Sequence, residues 1–197
     1  MKKLLTAALG LMLLSSACAH ACSNYQRVPD SQVVENDKIL RDTKASATLR
    51  IVAYGILSCS DNAGIRNETI RVAIQAGNPE SLRGQALLDQ LGAMSTYIID
   101  VGPVSNPDQT TKNRLQQNNG SVRLENRFFD RSKGCVGMNS NTTCSPGFIM
   151  NIRGSHVEID HGSLQIVAQL DLDQAGHLSG RIKFGNGAFV PARILLK

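Results

Sequence analysis

Three side chains close together in the chain could do chemistry as a group: His156, Glu158 and Asp160, with His161 near them. If His156–Asp160 is a strand, successive side chains alternate between faces, so these three project from the same one. An imidazole among carboxylates could hold a divalent cation or serve as an acid–base group. Same-face neighbours on a strand stand roughly 7 Å apart, however, too far for adjacent ones to share a small ion without a bend. The spacing therefore favours a solvated strand face. His177 lies in turn-forming sequence and reads as plain surface.

The cysteines carry the next chemistry. Cys22, Cys59, Cys135 and Cys144 form an even set, which in an exported protein points to disulfides. Cys135 and Cys144 bracket a polar loop, so their pairing needs only a short closure, and Cys22 with Cys59 is the pair left over. Four cysteines allow three connectivities, and this is the expected one. A metal site would want paired C-x-x-C spacing, which the sequence lacks. Cys59 lies between Ser58 and Ser60 and could be a nucleophile, but no recognisable His partner pattern supports that.

Arg123, Arg127, Arg131 and Lys133 lead toward Cys135 and could meet an acidic partner such as lipopolysaccharide phosphate, peptidoglycan carboxylates or an acidic protein face. Glu125 and Asp130 sit among them, so a neutralised exposed face is the competing expectation. The chain has no G-x-S-x-G, no H-E-x-x-H, no phosphate loop and no dinucleotide fingerprint, and nothing in it implies a cofactor.

The N-terminus gives an address. Met1-Lys2-Lys3 is a basic start, Leu4 to Leu14 is apolar but too short to span a bilayer, and Ser15 to Ala21 is small-residue sequence, which together predict a bacterial secretory signal peptide. Ser15-Ser16-Ala17 before Cys18 resembles a lipobox, with Ser15 where Leu is usual. It implies cleavage after residue 17, lipidation of Cys18 and, because Ala19 is not Asp, an outer-membrane anchor facing the periplasm. Ala19-His20-Ala21 instead fits ordinary cleavage after residue 21, which would leave a soluble periplasmic or secreted protein. The formal charge of +5 falls to +3 without Lys2 and Lys3, and neither that mild excess nor the 4% of aromatic residues suggests nucleic acid.

These groups need elements to hold them. Residues 18–46 are polar and read as a tether, with room for a short helix from Asp30 to Arg41. Residues 47–197 read as one α+β domain, predominantly antiparallel sheet. Ala47 to Leu57 is rich in β-branched residues, and Glu68 to Ala76 alternates through Ile70, Val72 and Ile74, so two strands in a long-looped hairpin are expected. Asn78-Pro79-Glu80 is the clearest helix start, with Asn as cap, and that helix should span about 79–91 and stop at Gly92. Ser95 to Val101 and Ser121 to Phe129 read as strands, the latter with Val122, Leu124 and Phe128 on one face. Gly102 to Gly120 between them reads as a long loop with at most one helical turn near Leu115.

From Gly147 onward the pattern is strand, tight turn, strand. Phe148–Ile152, His156–Asp160, Leu164–Leu172, Leu178–Phe184 and Ala188–Leu196 form a meander, with Pro191 favouring an edge or a bulge. Leu82 to Gly92 followed by Tyr97-Ile98-Ile99 resembles the helix-then-strand of curli-secretion-type lipoproteins. Phe148–Gly154 and Leu164–Gly176 resemble that family's later paired strands. The resemblance covers about a third of the chain and places no function on a named residue. The sequence thus points to a non-enzymatic, lipid-anchored envelope protein that binds an unknown envelope protein or polymer. The alternatives are a soluble enzyme or ligand carrier, and a surface adhesin or secretion-type subunit joined through a strand edge.

Overall fold

A computed structural model describes residues 28–140 and 143–196. The signal peptide, Cys18 and Cys22 lie outside the described residues. Two compact units divide the chain, one ending at Thr69 and the other beginning at Ile70.

The described residues of the first unit are helical. Helix α1 (Asp30–Arg41) covers the stretch where a short helix was expected, inside the segment read as a tether. Leu40 near its end is fully buried, and the buried Arg50 donates from Nε to the Leu40 carbonyl at 2.9 Å. Helix α2 (Ala47–Ser58) replaces the first expected strand. Its buried residues are Arg50, Ala53, Tyr54 and Leu57, a spacing of three, four and seven that only a helix brings to one side. Ser46 caps it, accepting from the Leu49 N–H at 3.3 Å. The β-branched composition around Ile51 and Val52 was a weaker signal than that period.

Helix α3 (Ala63–Ala73) replaces the second expected strand. Thr69, Val72 and Ala73 are buried at helical spacing, and the alternation of Ile70, Val72 and Ile74 is a coincidence of a helix buried on more than one side. Asn62, read as loop, starts it: its Oδ1 accepts from the Gly64 and Ile65 N–H groups.

Among its described residues the second unit is an antiparallel sheet of nine strands with the α-helices α4 (Glu80–Ala93) and α5 (Gln109–Gln117). Helix α4 is followed by β1 (Thr96–Val101), α5, β2 (Ser121–Glu125), β3 (Phe128–Asp130) and β4 (Cys135–Gly137). The meander follows as β5 (Phe148–Arg153), β6 (His156–His161), β7 (Ile166–Leu172), β8 (Leu178–Phe184) and β9 (Val190–Ile194). The α+β class and the C-terminal meander are as expected, but five α-helices stand among the described residues where one was clear from sequence.

The strand order is β2-β1-β9-β8-β7-β6-β5-β4-β3. Its two edge strands, β2 and β3, are consecutive in the chain and separated only by Asn126 and Arg127. Three Cα steps reach about 11 Å at most, so the sheet must curl until its edges meet at that end. The expected single strand 121–129 is thus two strands serving opposite edges. Because of the break it is Phe129, not Phe128, that lies against α4, where Gly92 leaves room for its ring.

The inner face carries the core. Met150, Ile159, Ala168, Ile182 and Val190 form a continuous cross-strand row, and Tyr97, Ile99, Val122 and Leu124 extend the buried surface across β1 and β2. Helix α4 lies on this face with Leu82, Leu87 and Leu91 fully buried. It approaches the β5–β6 turn so closely that a Cβ on Gly84 would stand 2.8 Å from the Gly154 Cα. Tyr97 donates its hydroxyl to the Leu91 carbonyl at 2.7 Å, and burial pushes that phenol pKa well up.

Four further details differ from expectation. Asn78 donates its side-chain amide to the Val72 and Ala73 carbonyls at 2.6 and 3.0 Å, closing α3 rather than opening α4. Gly92 lies within α4. The 102–120 stretch holds the helix α5, capped by Asp108, whose Oδ2 also accepts from the Ala188 N–H at 3.1 Å and so ties α5 to the β8–β9 turn. Pro191 sits in β9 between two neighbours, not on an edge. Its carbonyl accepts from Gly102 just past the end of β1, so the side lacking a donor faces the loop where the ladder has ended.

Candidate functional site

The outer face of β5, β6 and β7 is built in rows by the register. Ile149, Asp160 and Val167 stand opposite one another, as do Asn151, Glu158 and Gln169, and then Arg153, His156 and Asp171. The first two rows floor a groove of about 430 Å³, walled by Cys144 and Pro146. Cys135 pairs with Asn151 across β4 and β5 and is joined to Cys144, with Cα atoms 6.2 Å apart. The disulfide expected from the short loop therefore has a placement as well: it holds that loop beside the groove.

The strand-face expectation for His156, Glu158 and Asp160 is met, and all three share the outer face. His156 is held by its neighbours: Nδ1 stands 2.9 Å from Asp171 Oδ1, and Nε2 faces Glu158 Oε1 at 3.6 Å. Its second nitrogen thus looks at a carboxylate and not at a nucleophilic hydroxyl. His161 is on the opposite face, edge-on to the Phe148 ring with centroids 5.4 Å apart, and its Nδ1 accepts from the Leu164 N–H at 3.4 Å. It caps the 3-10 turn Gly162–Leu164, which takes Leu164 out of the strand, and Gln165 at φ 53° leads into β7. No group of three or more His, Cys, Asp or Glu able to hold a metal occurs among the described residues.

Of the basic residues singled out, three have carboxylates at hand. Arg127 pairs with Glu125, Arg131 with Asp89 of α4 at 2.9 Å, and Lys133 with Asp130 at 3.4 Å. Arg123 stands apart from them on the exposed face of β2. The register does not gather the four into one stripe. Cys59 is disulfide-bonded and so presents no free thiol, while the Cys22 expected to join it lies outside the described residues. His177 is half-buried rather than plain surface: its Nδ1 accepts from the Leu196 N–H at 3.2 Å.

Asp173 anchors the β7–β8 turn. It accepts from the His177 N–H at 2.9 Å and the Ser179 hydroxyl at 2.8 Å, and its carbonyl receives Arg83 of α4. Burial works against its charge, but those donors outweigh it and hold the carboxyl below its usual range.

Sequence reasoning missed Ile149, Asn151, Val167 and Gln169 as groove residues. Their outward positions were legible in the alternation, but which strands lie side by side sets the rows, and that is a tertiary fact. The second unit is an α+β body in which an antiparallel sheet curls over one helix. No protein-family model matches the chain, and comparison with curated proteins and with solved structures gave no match.

Proposed function

We propose that this is an exported envelope protein, anchored through a lipid on Cys18 and facing the periplasm, that binds a partner without catalysing a reaction. The observation that carries the reading is the Cys135–Cys144 bond set beside an open groove. Disulfides persist in oxidising compartments, which agrees with the secretory leader read at residues 1–17. The groove offers carboxylates, an amide pair and two aliphatic side chains on the outer face of the sheet, a surface suited to accepting hydrogen bonds from an extended envelope polymer or protein segment.

Mass spectrometry of the mature N-terminus tests the anchor. A diacylated peptide beginning at Cys18 is expected, and an unmodified peptide beginning at Cys22 would sink the lipoprotein reading. Cross-linking from a photoreactive residue replacing Gln169 should capture an envelope component. Capture of a small soluble metabolite instead would favour the second reading, a soluble periplasmic or secreted ligand carrier or enzyme, which the groove also supports.

A further inference from the structure

The outer face of the sheet changes sign across its width. Over β5, β6 and β7 it bears Glu158, Asp160 and Asp171 against Arg153, whereas over β2, β1, β9 and β8 it bears Arg123, Arg193, Arg181 and Lys183 against Asp100, which stands opposite Arg193, and Glu125. Glu125, on the same side of β2, is taken up by Arg127. The same half exposes large apolar side chains: Ile98 at 52%, Leu195 at 42% and Phe189 at 39%.

The centre of this half is preorganised. Arg181 donates from Nε and Nη2 to Gln169 Oε1 at 3.1 and 2.8 Å, a neutral partner that fixes the guanidinium without cancelling its charge. Its Cζ lies 4.6 Å from the Phe189 ring centroid, and Lys183 Nζ lies 5.4 Å from the same centroid. Two cations thus converge on one exposed ring, which attracts each of them through its negative face while they repel each other. An anion entering between them relieves that repulsion.

We infer that this half-face docks on an anionic phospholipid surface, with a headgroup phosphate between Arg181 and Lys183 and with Phe189 and Leu195 entering the interface. Cations flanking exposed aromatic and aliphatic side chains suit the headgroup boundary, where charge meets phosphate and the apolar groups leave water. A purely anionic soluble partner would leave the three apolar side chains unexplained. Docking here would set the β8–β9 side of the curled sheet against the membrane. The inference does not rest on the lipid anchor.

The test uses the full chain carrying Cys18→Ser, exported and purified as the cell delivers it, so that no acyl chain contributes and failure of the anchor reading cannot affect the result. Cosedimentation is measured with vesicles of pure phosphatidylcholine and of phosphatidylcholine with about 30% phosphatidylglycerol, at about 0.05 M and about 0.5 M salt. Binding should require the anionic lipid and disappear at high salt. Arg181→Gln and Lys183→Gln should each weaken it about fivefold and the pair about 25-fold, following the contribution of one cation near an anionic surface. Phe189→Ser should weaken it with the salt dependence unchanged, and all variants should keep the parent's circular dichroism. Equal binding to both vesicle types, or an unaffected double variant, would overturn the inference. So would salt-sensitive binding to soluble polyglutamate with none to vesicles, which would assign the face to an acidic protein.

Discussion

Gly84 shows how a single position can be fixed by packing alone. Its neighbour at 2.8 Å is the backbone of Gly154, which cannot swing aside as a side chain could. Gly84→Ala should therefore cost about 1–3 kcal/mol, as overpacking does, and lower the urea midpoint with the slope unchanged. Helix propensity alone would predict the opposite sign, because Ala is the better helix former by about 1 kcal/mol. The anchored carboxylates make a second prediction at this scale. Asp108 is held below its ordinary pKa by the Thr111 N–H and hydroxyl and by Ala188, Asp130 by the Ser132 hydroxyl, and Asp173 by the donors of its turn despite its burial. A carboxyl lowered in the folded state stabilises above its unfolded value and loses that contribution as pH falls through its folded value. Stability should hold from neutral down to about pH 4 and fall below it, and Asp108→Asn should make that fall shallower in urea titrations at stepped pH.

At the scale of elements, Asn126 is the clasp of the second unit. It lies in the two-residue link between the edge strands, and its amide donates to the Gly92 and Met94 carbonyls at 3.3 and 2.9 Å, satisfying the end of α4. Its backbone N–H goes to the Ser95 carbonyl at 3.0 Å, and the next residue's goes to Gly137 at 3.0 Å, so adjacent peptide groups serve opposite edges. Asn126→Ala should cost about 1–3 kcal/mol through the unsatisfied carbonyls. Hydrogen exchange should quicken at the C-terminal end of α4 and in β3, and stay unchanged in β6 and β7. Arg83, bridging the Ile74 carbonyl and the β7–β8 turn, holds the other end of the same helix.

For the whole molecule, the Cys135–Cys144 bond closes a short loop. Replacing both cysteines with serine should cost about 2–3 kcal/mol from the loop entropy restored to the unfolded chain, read as a lower denaturant midpoint. Non-reducing peptide mapping should link Cys135 to Cys144, and Cys22 to Cys59. A map joining Cys59 to either of the later pair would overturn both assignments.

The meander from Phe148 onward was legible because its alternation has no helical alternative: Ile166, Ala168, Leu170 and Leu172, apolar at period two, cannot share a helix face. The end of α3 shows the limit of the same rule, since Ile70, Val72 and Ile74 alternate yet sit in helix or just beyond it, where burial on several sides hides the period. The disulfide was legible because nine residues of separation make pairing local. The sequence by itself determined which residues alternate, where turns fall and which cysteines are close along the chain, all properties of short segments. Only the tertiary structure decided that β2 and β3 take opposite edges and that Gln169 lies beside both Glu158 and Arg181. These depend on strand order and register, which are set by the packing of distant segments and leave no mark on local spacing.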